Sequence, residues 1–175
     1  MTQAFAARFC YRRDMSPQSQ PYDFSKQLLA SKDFFDRSTR VLEESDSGFR
    51  PSQDMMTAAQ QVAHVAQTLD WFIEGVSRPE GFDLDFGKHA AELEKVTSLA
   101  AARSALNAAY DNAVRFFRAK TAQELAAPLP QGPVMGGQPM SEVVWGMIEH
   151  TAHHRGALTV YSRLLGKVPP MPYGG

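Results

Sequence analysis

The stretch SEVVWGMIEHTAHHRGALTVYSRLLG, Ser141 to Gly166, decides how the rest of the chain is read. Ser141 is an N-cap residue type and Glu142 places negative charge in the first turn, so the stretch opens as a helix opens. Gly166 supplies a left-handed stop, and Pro169 and Pro170 forbid resumption. Between these marks Val144, Met147, Thr151, His154, Leu158, Tyr161 and Leu165 recur at helical spacing. Three of the chain's five histidines, His150, His153 and His154, ride on this helix. His150 and His154 are four residues apart and share a face, a spacing that lets two imidazoles hold one metal ion. The same spacing suits a pair of buried histidines hydrogen-bonded to backbone, and spacing alone does not separate the two. A ligand pair on one helix needs a third donor from elsewhere, and the chain offers His64.

Helical phase sorts these histidines further. At roughly 100° per residue, the apolar stripe of the last helix centres between Thr151 and Leu158, with His154 about 30° and His150 about 70° from it. By the same rule His153 lies about 130° away and faces solvent or a partner. In the segment before Arg78-Pro79 the stripe runs through Val62, Val65, Leu69, Ile73 and Val76, and His64 lies about 130° from it. Phase alone therefore leaves His64 on the surface. Thr68 and Trp71 flank it on a second, mixed face that a bundle helix with two neighbours can turn toward the last helix. His89 falls in a polar linker and is expected to be solvated, while Trp71 and Trp145 read as core or rim residues.

Outward from the ligand helix the pattern stays helical. A first helix is expected from about Phe24 to Glu44, burying Phe24, Leu28, Phe35, Val41 and Leu42 and ended by SDSG at Ser45 to Gly48. A second opens on the capping box Thr57-Ala58-Ala59-Gln60 and runs to about Val76. EGFDLDFGKH reads as a loop, with one helical turn around Ala90 to Lys95. A third long helix runs from Thr97 or Ser98 to about Lys120, and the box Thr121-Ala122-Gln123-Glu124 opens a short one stopped by Pro128. PLPQGPVMGGQP is irregular and leads into the ligand helix. No stretch alternates as a strand does. The fold expected is all-α, a four-helix bundle whose long connections permit crossovers. Residues 1–21 have no clear period and read as an N-terminal extension to one domain over 22–175.

Bulk composition narrows the function classes. Lys+Arg 18 against Asp+Glu 19 leaves a net charge of -1, which gives no support to nucleic-acid binding. The single cysteine, Cys10, rules out an internal disulfide framework and suits a reducing compartment. Arg8, Arg12 and Arg13 break the apolar N-terminal run, so no signal peptide is expected, and no run approaches the roughly 20 apolar residues of a membrane span. The chain is expected to be cytoplasmic, with no membrane partner. Neither a phosphate-cradling glycine loop, a Ser–His–Asp signature nor a Cys-x-x-Cys pair is present.

Two segments together, AQQVAHVAQTLDWF around His64 and EHTAHHRGALTVYSRLLGKVPPMPYG near the end, resemble the DinB superfamily of DinB/YfiT-like metalloenzymes. The resemblance covers about Phe24 to Gly175, and the second motif is the specific one. It implies a four-helix bundle of the DinB/YfiT-like type, with a divalent metal held by His64, His150 and His154. His153 takes the outer place of the His-His pair, in agreement with phase. Characterised members are similar to metal-dependent thiol transferases and a thiol-dependent isomerase, and many relatives are described as metal-dependent hydrolases.

The resemblance thus implies a metal-dependent hydrolase or thiol S-transferase acting on a small molecule, possible partners being a low-molecular-weight thiol and a second copy in a homodimer. Imidazole ligands make zinc or nickel the expected ions. Three neutral imidazoles leave the ion's charge uncompensated and a coordination position open, so that water or a thiol bound there ionises near neutral pH. No general base is signalled beside the ligands. Tyr161, two turns after His154, is a candidate pocket residue or hydrogen-bond donor, and Arg155 a candidate anchor for an anionic substrate, with a structural ion pair as its other role. The competing reading is a non-catalytic metal-binding stress or scaffold protein.

Overall fold

A computed structural model describes residues 23–174. The proposed extension and Cys10 lie outside them. The elements are α1 (Phe24–Thr39), a 3-10 turn (Glu44–Asp46), α2 (Ala58–Ser77), α3 (Phe86–Leu93), α4 (Leu99–Arg118), α5 (Ala122–Ala126) and α6 (Glu142–Leu164). There is no strand among the described residues, only an isolated bridge between Pro128 and Pro139. Among the described residues no helix is long and apolar enough to cross a membrane.

The four long helices pack as a ring: α2 against α4 and α6, and α1 against α4 and α6. Chain neighbours α1 and α2 therefore lie across the core from each other, as do α4 and α6. Each diagonal has to be crossed outside the core, which is why residues 40–57 and 119–141 are long connections. Leu28, Phe35, Val62, Val65, Leu69, Leu106, Tyr110, Val143, Met147 and Leu158 fill the centre.

Both expected capping boxes form. Gln60 N donates to Thr57 Oγ1 at 3.2 Å while Thr57 N donates to Gln60 Oε1 at 2.9 Å, and Thr121 pairs with Glu124 in the same way. Gly166 takes φ +74, with Lys167 N on Ser162 O and Gly166 N on Arg163 O, the paired bonds of a left-handed helix stop.

Two boundaries and one cap differ from expectation. α1 ends at Thr39 rather than near Glu44: Thr39 O accepts from Arg103 of α4 at 2.7 Å and from Leu42 N at 3.0 Å, while Glu43 N, which a further turn would place on that carbonyl, donates to Asp46 Oδ2 at 2.7 Å. The linker helix begins at Phe86 rather than Ala90: Asp85 caps it, accepting from Lys88 N at 3.0 Å, and buried Leu93 anchors its end. Ser141 stands at the N-cap position of α6, as expected, but does not cap it. It already has helical angles and makes no cap bond, since a turn from Pro139 and Met140 feeds the helix through Glu142 N and Val143 N.

Candidate metal centre

His64 comes from α2, and His150 and His154 from the facing side of α6. The His64 ring centroid is 4.9 Å from each of the other two, which are 4.5 Å apart. One ligand nitrogen from each ring lies within 4.8 Å of the others. Nitrogens on a tetrahedral ion with ~2.1 Å bonds are about 3.4 Å apart, so small ring rotations complete the grouping. His64, which phase alone left on the surface, is half-buried because its mixed face meets α6 while the main stripe meets α4. Thr68, on that mixed face, comes within 3.4 Å of His150 Nε2. His153 is exposed, as its phase requires.

Burial decides the charge state of the cluster. Loss of solvent, with mutual repulsion second, pushes His150 down to about 4 and His154 down to about 3, and desolvation lowers His64 as well. All three are neutral at pH 7, so each presents a lone pair. His64 Nδ1 is buried without any hydrogen-bond partner. An orphaned buried acceptor costs about 1–3 kcal/mol unless something meets it, and a cation among these nitrogens would meet it.

A hydrogen-bond chain fixes which nitrogen of His154 is free. Tyr161 Oη donates to the Met56 carbonyl at 2.9 Å, so it must accept from Gln61 Nε2, at 3.3 Å. That turns Gln61 Oε1 toward His154 Nδ1, 2.5 Å away, and the carbonyl can only accept. His154 therefore carries its proton on Nδ1 and leaves Nε2 bare. Metal-ligating histidines are usually oriented by such an outer partner. Thr151, between His150 and His154 in sequence, is buried and accepts from Tyr110 Oη at 3.0 Å, which ties α6 to α4 across the core.

Two cavities, of about 520 and about 350 Å³, adjoin His64. Gln67, Phe86 and His89 line both; Arg50, Gln53 and Gln60 give the larger a polar wall, and Trp71, Phe72 and His150 line the smaller. His89 is thus not solvated in a linker. Its side chain is 20% exposed, and the reason is α3, which seats it against α2, with Gln67 Nε2 on the His89 carbonyl at 3.0 Å.

The remaining expected site residues lie apart from the cavities. Tyr161 is buried, and its hydroxyl acts on His154 through Gln61. Arg155 sits about 100° further round the helix than His154, over the rings of Phe34 and Tyr173 at 5.8 and 5.9 Å. Trp145 is exposed at the surface, whereas Trp71 forms a cavity wall. Sequence reasoning missed Gln61 and His89. Gln61 did leave a signal, a polar residue standing four and eight before Val65 and Leu69 on a core stripe; His89 left none once its helix was placed too late.

The chain matches the sequence model of the DinB family over residues 26–175. No curated protein sequence matches it significantly. Among solved structures it is similar to the crystal structure of a DinB-like protein from Bacillus subtilis, with a TM-score of 0.62 and 15% identity, over 85% of this chain and 96% of that one. At that identity the likeness speaks for the fold.

Proposed function

The chain belongs to the DinB family, and from that premise we propose a metal-dependent enzyme in which His64, His150 and His154 hold one divalent ion, zinc or nickel. The observation that carries this is the convergence of three neutral imidazoles, one with an orphaned buried nitrogen, beside two open cavities. When bound, the ion supplies Lewis acidity and acidifies a thiol or water that reaches it. The chain's own residues do the rest. Gln61 holds the Nδ1 proton of His154, Tyr161 holds Gln61, and Thr151 holds the helix between the ligands. Tyr161 is a positioning residue on this reading, and Arg155, over Phe34 and Tyr173, steadies α6 rather than meeting substrate.

The reaction is transfer of a low-molecular-weight thiol onto an electrophile, or hydrolysis, of a small molecule. The cavities favour this over a non-catalytic metal-binding protein, in which side chains would be expected to close around the ion. Elemental analysis of protein purified without a His-tag should find about one transition-metal ion per chain. Thiol transfer, then ester and amide hydrolysis, should be compared between metal-loaded and chelated protein. Finding no metal, with none taken up on titration, would refute the proposal; a loaded protein inert across a broad panel would favour the non-catalytic reading.

A further inference from the structure

The smaller cavity has a character that three metal-binding histidines do not call for. Its walls are aromatic and held in place. Trp71 Nε1 donates to the Asp83 carbonyl at 2.7 Å, and the indole packs on Phe72 and Phe82 with centroids 5.1 and 4.7 Å away. The Phe72 ring in turn packs directly on Gly146 of α6, where even a Cβ would stand 2.9 Å from Phe72 Cζ. Phe86 remains 61% exposed although it stands where both cavities open. An aromatic left in water at the mouth of a cavity gains contact when another flat group lies against it.

His89 supplies the polar partner. Its Nε2 is sealed from solvent without a hydrogen bond, 3.7 Å from Asp83 Oδ2, and Asp85 N holds the other oxygen of that carboxylate at 3.0 Å. In the neutral ring a carboxylate beside Nε2 favours the proton there, which leaves Nδ1 as the lone-pair nitrogen of a residue that lines both cavities. An acceptor placed beside an aromatic wall selects for a donor on a ring.

We propose that the smaller cavity binds a flat aromatic molecule carrying a hydrogen-bond donor, its ring against Trp71, Phe72 and Phe86 and its donor on His89 Nδ1. A phenol or an aryl amine has this chemistry; a plain arene or an aryl ether lacks the donor. The proposal rests on reading the histidine site as a small-molecule site, but its test does not require the metal.

Full-length protein, metal-loaded and chelated, is titrated with 4-methylphenol, 4-methylanisole and toluene by ligand-observed NMR. The phenol should bind about fivefold more tightly than the other two, as one net hydrogen bond gives. That preference should survive chelation. His89→Leu should abolish it without changing metal uptake, and Phe86→Ala should weaken all three probes by a similar factor. Asp83→Asn, which removes the carboxylate holding the Nε2 proton, should reduce the preference and serves as the second route if His89→Leu does not fold. Equal affinities, no binding of any probe, or a preference untouched by His89→Leu would overturn the proposal. A preference lost on chelation but kept in His89→Leu would put the phenol on the metal and overturn it as well. Absence of metal uptake would refute the metal-enzyme reading while leaving the chelated titration interpretable.

Discussion

Replacing Gln61 with leucine tests the link between the hydrogen-bond chain and the proposed metal centre. Gln61 is buried, and it both accepts from His154 Nδ1 and donates to Tyr161 Oη. Leucine leaves the His154 N–H facing methyl groups. Tyr161 keeps its bond to the Met56 carbonyl at 2.9 Å, so one donor is orphaned rather than two. One orphaned buried donor costs about 1–2 kcal/mol, net of the apolar area leucine adds. In a chain of this size that lowers the Tm of the metal-free protein by roughly 3–6 °C. His154 can also relieve the loss by moving its proton to Nε2, the nitrogen the metal needs. Outer-partner losses weaken metal binding by about 10–100-fold, or about 1.4–2.7 kcal/mol. Competition with a chelator measures the affinity, and 15N shifts of labelled imidazole report the tautomer. Gln61→Glu, whose carboxylate still accepts from Nδ1, should stay within a few-fold of wild type. A Gln61→Leu protein that binds metal as tightly as wild type, with His154 still protonated on Nδ1, would refute the reasoning.

The neighbouring histidines separate sharply. His154→Ala and His64→Ala should abolish tight metal binding, whereas His153→Ala, at an exposed position, should leave occupancy almost unchanged by elemental analysis; equal losses would mean the phase of α6 is misread. The metal-free protein should lose stability in acid. His150 and His154 are held down to about 4 and about 3 from an ordinary 6.5, so below pH 6.5 the unfolded chain takes up protons that the fold refuses. Stability should therefore rise with pH through the window from about 3–4 to 6.5 and flatten above it; denaturant midpoints flat across that window would contradict the burial of the cluster. Tyr110→Phe removes the hydroxyl shared by Ser31 and Thr151, and should cost about 1 kcal/mol in equilibrium denaturation, with metal affinity weakened far less than by any ligand substitution.

How much was legible depended on whether a residue's role is written along its own helix. His150 and His154 are four apart on a helix with clear ends, so their shared face follows from local geometry. His64 is not readable this way. Helical phase measures distance from the main stripe, and α2 has two neighbours, so a residue far from the stripe facing α4 can still be half-buried against α6. Its mixed face with Thr68 and Trp71 allowed a place beside the last helix, and the family resemblance is what favoured it. The end of α1 was missed because its last carbonyl meets Arg103, far along the chain, and because Asp46 draws off the Glu43 N–H that a further turn would need. Asp85 was a readable cap, but DLDFG around it has the composition of a loop, and tertiary burial of Leu93 settled the matter. His89 then went unrecognised, since a misplaced helix misplaces every side chain on it.

The chain of bonds behind His154 ends on the backbone carbonyl of Met56. A main-chain acceptor is the same for every amino acid, so substitution at position 56 leaves the tautomer of His154 intact, and no sequence motif can advertise the contact. What must be preserved is the path of the backbone. That path is tied by Ala58 N to Phe49 O at 2.8 Å, by Ala59 N to Ser47 O at 3.1 Å, and by Phe49 against the Tyr161 ring. As far as this tautomer is concerned, side chains along Arg50 to Met56 can change but the number of residues between those ties cannot. An inserted or deleted residue there would shift the carbonyl and reach His154, where a point substitution at the same positions would not.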